Sequence, residues 1–108
     1  IIEIPSSTTV IKNRAFSNCS SLLQISIPSS VELIDDEVFK ECSLLIQISF
    51  EEQSSLNTIG CSCFTKCCSL KKIKIPLSVY KIGENAFFEC NSLSKIKISL
   101  TSSKMKLN

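Results

Sequence analysis

Among its 108 residues the sequence has no histidine, no tryptophan, one tyrosine and only two glycines. Without histidine the chain lacks the commonest general base and the commonest neutral metal ligand. Gly60 and Gly83 stand alone, so no glycine-rich phosphate loop is expected. No apolar run approaches the roughly 18 to 20 residues of a membrane-spanning helix, and no membrane insertion is expected within this segment. The chain starts Ile1-Ile2-Glu3-Ile4-Pro5, with neither an initiator Met nor a basic stretch followed by an apolar one. These features predict a piece of a longer protein. No pair of nucleophile and base can be placed, so neither an enzyme nor a cofactor is expected.

What is present is repetition. Phe16, Phe39, Phe64 and Phe87 are separated by 23, 25 and 23 residues, and Cys19, Cys42, Cys67 and Cys90 follow each of them by three. The same register holds for Ile11, Ile34, Ile59 and Ile82, for Leu22, Leu45, Leu70 and Leu93, and for Ile25, Ile48, Ile73 and Ile96. Five columns in one period mean a solenoid, in which a unit too small to bury its own apolar face stacks on its neighbours. The third copy carries two extra residues between Phe50 and Leu56, within Glu51-Glu52-Gln53-Ser54-Ser55. An insertion tolerated there is expected in a surface turn.

Each unit contains Leu-x-x-Ile-x-Ile, whose period-2 alternation of β-branched residues predicts a short strand with its Ile side chains inward. Pro5, Pro28 and Pro76 are expected to end such strands. The Phe-x-x-Cys-x-x-Leu stretch places apolar groups three apart, which predicts a turn of α- or 3₁₀-helix. The expected fold class is therefore α/β: a solenoid of about four 23-residue coils, with a parallel sheet on one face and short helical turns on the other.

The unit Ile-Pro-Ser-Ser-Val-x-x-Ile, followed by Ala/Val-Phe-x-x-Cys-x-x-Leu-x-x-Ile, resembles the BspA-type leucine-rich repeat over residues 1–98. Departures are local. Asp35 replaces the usual Gly, Phe50-Glu51 replaces Ile-Pro, and Val38 and Cys63 replace Ala. Residues 99–108 leave the pattern as a partial repeat or basic tail. The resemblance implies a curved solenoid from a bacterial or protist surface protein, associated with adhesion to host matrix proteins or to other cells.

Seven cysteines are an odd number for a disulfide scaffold. Equivalent cysteines in neighbouring coils would lie about 5 Å apart, but with parallel Cβ vectors that miss disulfide geometry. Cys19, Cys42, Cys67 and Cys90 are therefore expected to be reduced, small, buried residues. Cys61, Cys63, Cys67 and Cys68 lie close in sequence, but with Cys63 and Cys67 in core columns the four should not converge on a metal. Cys61 and Cys68 are candidates for exposed, redox-sensitive thiols. Asp35 and Asp36, with Glu32 and Glu37, are a weak set for calcium, which takes six to eight oxygens. Solvated charge at a turn is the simpler explanation.

Charge is divided along the chain. Residues 1–54 carry three cations against eight carboxylates, a net of −5, and residues 55–108 carry nine lysines against two glutamates, a net of +7. The candidate binding residues on the open face of the sheet are Leu23, Gln24, Ile46 and Gln47 in the first half, then Lys71, Lys72, Lys74, Lys95 and Lys97 in the second. Lysines also protect sheets from aggregation, so a merely solvated face is the alternative to a basic recognition patch. No aromatic residue interleaves with the lysines, which argues against nucleic acid. With the surface and adhesion parts supplied by the resemblance, the expected function is a protein- or glycan-binding module of a cell-surface or extracellular adhesion protein, its partner a protein or an acidic glycan on the host matrix or another cell. An intracellular scaffold for protein–protein interaction remains the alternative, since unpaired cysteines suit a reducing compartment.

Overall fold

A computed structural model describes residues 2–99. The tail at 99–108 lies outside the described residues apart from Ser99. Eight strands run in order: β1 Val10–Ile11, β2 Gln24–Ile27, β3 Leu33–Ile34, β4 Gln47–Phe50, β5 Thr58–Ile59, β6 Lys72–Pro76, β7 Lys81–Ile82 and β8 Lys95–Ser99. All pairings are parallel between successive coils, with Ile11 beside Ile34, Ile34 beside Ile59 and Ile59 beside Ile82. Strands β1, β3, β5 and β7 form a narrow four-stranded sheet on a second face. Two-residue strands are too short to show a period, so this sheet was not foreseen.

Of the longer strands, β2 and β6 follow their alternation, whereas Ile96 and Ile98 of β8, expected inward, are 50 and 52% exposed where no further described coil covers them. In β2, Ile25 and Ile27 are buried while Gln24 and Ser26 face solvent, and β6 repeats this with Ile73 and Ile75 against Lys72 and Lys74. Pro28 and Pro76 close β2 and β6, but Pro5 ends no strand. The four Phe occupy one column, with ring centroids 5.6, 5.4 and 5.4 Å apart and planes within 8° of parallel. Parallel rings at that separation are offset-stacked, the favoured arrangement for their quadrupoles. Phe39 and Phe64 are wholly buried, whereas Phe16 and Phe87 in the end coils are half-buried.

The helical return is not formed. Among the described residues there is no helix, and the stretch from Lys12 to Leu22, like its copies, is a run of tight turns. The fold is an all-β solenoid rather than an α/β one. The cause is two left-handed residues per coil, two before and two after each Phe: Arg14 and Asn18, Glu37 and Glu41, Ser62 and Lys66, Asn85 and Glu89, all with φ between 54 and 62°. Each costs a non-glycine residue about 1 kcal/mol or more. In return they turn alternate N–H groups along the solenoid axis. Phe16, Phe39 and Phe64 donate to the carbonyls of Val38, Cys63 and Ala86 in the next coil at 3.0, 2.9 and 2.8 Å. A helix would have kept those donors within its own coil.

Gly60 and Gly83 occur where coils approach most closely. A Cβ on Gly60 would sit 2.5 Å from the Asp35 carbonyl carbon, and one on Gly83 would sit 2.5 Å from the Cys61 nitrogen. The two-residue insertion, as expected, lies in an exposed turn around Glu52 and Gln53. It has a further consequence for the long sheet. β2 pairs with β4 and β6 with β8, but no ladder joins β4 to its neighbour β6, so the face is two two-stranded halves instead of one four-stranded sheet. The break falls at the coil with the longer circuit. A hydroxyl contact fails in the same region: Ser30 Oγ donates to the Thr8 carbonyl at 2.6 Å, but Ser78 Oγ in the equivalent position is enclosed without a partner.

Candidate functional site

The nine candidate side chains on the long sheet face are all exposed. Parallel pairing sets Lys72 beside Lys95 and Lys74 beside Lys97, with Gln24 beside Gln47 in the other half. Side chains two apart on a strand are separated by roughly 6.6 Å, and adjacent strands by roughly 4.8 Å. Lys72, Lys74, Lys95 and Lys97 therefore form a small lattice of ammonium groups. Like charges directly opposite one another destabilise a sheet, and here it happens twice.

A concavity of about 760 Å³ opens where β4 and β6 fail to pair. It is bounded by the four lysines, by Gln47 and Ser49 of β4, and by the inserted turn from Glu51 to Ser54. Leu23, Gln24, Ile46 and Lys71 lie outside it. Leu23 and Ile46 are 53 and 54% exposed, and Leu44, at 50%, adds a third apolar side chain that the sequence reading passed over. The two Glu of the inserted turn were also missed as site residues. The signal was there, in Phe50-Glu51 standing where other copies have Ile-Pro.

Glu51 Oε1 accepts the Ser29 N–H at 2.9 Å, which ties the turn to the second coil. Among the described residues, no carboxylate lies within 4 Å of the ammonium groups of Lys72, Lys74, Lys95 or Lys97, the ion pairs being Arg14–Glu37 and Lys40–Glu37 elsewhere. The Arg14 side chain, donating to Glu37 Oε1 at 2.6 Å, holds the Glu37 carboxyl below its ordinary range. The acidic cluster around it is already engaged. Asp36 Oδ1 accepts the Cys61 N–H at 2.8 Å, and Asp35 Oδ1 the Asp36 N–H at 2.8 Å.

All seven cysteines are free. Cys42, Cys63 and Cys67 are buried, Cys61 and Cys68 exposed, and Cys19 and Cys90, expected to be buried, are only half-covered because they belong to the end coils of the described chain. The thiols have a role beyond filling space. Cys42, Cys67 and Cys90 donate to the carbonyls of Phe16, Phe39 and Phe64 one coil back, at 3.1, 3.1 and 2.9 Å. Burial pushes the Cys42 thiol up to about 11 and raises Cys63, Cys67 and Cys90 as well. No helix among the described residues is long and apolar enough to cross a membrane.

The model of the BspA type leucine rich repeat region, built on six copies, matches residues 1–108. No curated protein sequence matches the chain. Among solved structures, a leucine rich cell surface protein from Faecalibacterium prausnitzii is 30% identical with a TM-score of 0.61, over 95% of this chain and 33% of that one. The leucine rich repeat protein of T. pallidum is 28% identical with a TM-score of 0.63, over 88% of this chain and 56% of that one. The chain thus spans about a third to a half of the length of these relatives. With the repeat matched from end to end and its columns stacked coil on coil, this chain belongs to the BspA-type leucine-rich-repeat family.

Proposed function

We propose that this chain is a ligand-binding segment of a cell-surface protein, and that it docks an anionic partner on the C-terminal half of its long sheet face. The observation that carries this is the in-register lattice Lys72–Lys95 and Lys74–Lys97, which borders a concavity and has no carboxylate within pairing distance among the described residues. Four cations on one exposed face add their fields and attract anions. The family and the cell-surface protein to which the chain is similar support the surface part of this reading. The reading is of binding rather than catalysis, since the sequence offers no histidine as the commonest general base.

The test replaces Lys72, Lys74, Lys95 and Lys97 by Ser and compares binding to heparin-like chains, an acidic matrix protein and a neutral control. Two salt concentrations are used, spanning the range where screening shortens to about 8 Å. Salt-sensitive binding that the quadruple variant loses supports the proposal. Binding unchanged in the variant, or insensitive to salt, contradicts it and moves recognition to Leu23, Leu44 and Ile46.

The seven free thiols favour a second reading, an intracellular scaffold in a reducing compartment. Antibody labelling of intact against permeabilised cells separates the two. Labelling of intact cells supports the surface.

A further inference from the structure

The concavity is bipolar. Lys72, Lys74, Lys95 and Lys97 bound one side, and the inserted turn brings Glu51 and Glu52 to its rim. In strand register Ser49 is level with Lys74, so Glu51 and Glu52 come two to three residues beyond the lysine lattice, towards Pro76 and Leu77. No ion pair among the described residues joins these glutamates to the four lysines. The four lysines and Glu52 are left for something outside the chain. Glu51 is anchored on the Ser29 N–H, which fixes the turn that carries both glutamates.

We infer that the cleft between β4 and β6 takes an extended peptide segment of a protein partner, with acidic residues at alternate positions followed by a basic residue. The inference rests on the reading of this face as the ligand surface and narrows it. An extended peptide spaces its i and i+2 side chains by roughly 6.6 Å, the repeat of Lys72 to Lys74 and of Lys95 to Lys97. A uniformly polyanionic glycan matches the lysines equally well, but its charge continues onto Glu51 and Glu52 and is repelled there. A chain that changes sign along its length suits both ends of the cleft. Complementary potentials of this kind fix register and reject wrong partners more than they raise affinity. Gln47 and Ser49, which also line the cleft, offer polar contacts to a peptide backbone.

The experiment uses the whole chain and three probes at two salt concentrations: a fluorescent peptide with Asp at two alternate positions and Lys two residues later, the same peptide with that Lys replaced by Asp, and a heparin-like chain. Fluorescence anisotropy reads the first two and competition the third. The mixed peptide should bind about fivefold or more tightly than the all-acidic one. Glu52→Lys should reverse that order and Glu52→Gln abolish it, and neither exposed substitution is expected to alter the circular dichroism. Equal or tighter binding of the all-acidic peptide or the heparin-like chain to the unaltered protein overturns the peptide inference while leaving the anionic-ligand reading standing. Binding of every probe that survives loss of the four lysines overturns both.

Discussion

Cys67 shows how one residue type serves several needs in this chain. Its Sγ lies 3.1 Å from the Phe39 carbonyl oxygen, which also accepts the Cys42 N–H at 3.1 Å. The thiol thus donates where a methyl group could not, in a site with no room for solvent. In the unfolded chain a thiol ionises at about 8.5, whereas burial holds the proton on Cys42 up to about 11 and raises Cys63 and Cys67 too. Between those values the folded chain binds more protons than the unfolded one, so stability is complete below pH 8.5 and falls as pH rises above it. The loss is about 1.4 kcal/mol per pH unit for each such thiol. Urea midpoints at pH 7, 8.5 and 10.5 should hold steady over the first interval and drop over the second. The drop should be shallower in Cys67→Ala, and a midpoint flat to pH 10.5 would contradict the assignment. The cysteine column was legible in the sequence, but its hydrogen bonding was not, because a buried small residue accounts for the pattern equally well.

At the scale of elements, the strands could be read from Ile25-Ser26-Ile27 and its copies, since alternation reports directly which face is buried. The turns between them could not. Phe16, Cys19 and Leu22 are three apart, which is what a helical face also shows, and nothing in the composition of Arg14, Glu37 or Glu41 announces a left-handed backbone. Those conformations are imposed by the neighbouring coil, whose carbonyls accept the freed N–H groups. The insertion was legible as a turn, but its effect on β4 and β6 was not, because it acts on pairing between coils. Deleting Glu52 and Gln53 restores a 23-residue circuit and should join β2, β4, β6 and β8 into one sheet. Amide hydrogen exchange at Ser49 and Lys72–Lys74 should slow at least severalfold, and binding of acidic ligands should weaken as the cleft closes. Unchanged exchange would separate the broken ladder from the insertion.

The whole molecule is a short stack whose coils pack mainly on their neighbours, so that the Ile, Phe, Cys and Leu columns define both the core and the surface they leave outside. This is why the fold was readable from spacing alone and the binding face only in part. The columns place Lys72, Lys74, Lys95 and Lys97 outward, whereas the cleft beside them depends on the one coil that breaks the period. The division of charge, −5 before residue 55 and +7 from there on, makes one half of the molecule the natural seat for an anion. The most direct test of that claim is a map of backbone amide chemical shifts as an acidic peptide with one basic residue is titrated into the isotope-labelled chain. The account predicts shifts concentrated at residues 47–54, 72–78 and 95–97, diminishing as salt is raised. Shifts centred on the narrow sheet of β1, β3, β5 and β7, or on Leu23, Leu44 and Ile46, would contradict it.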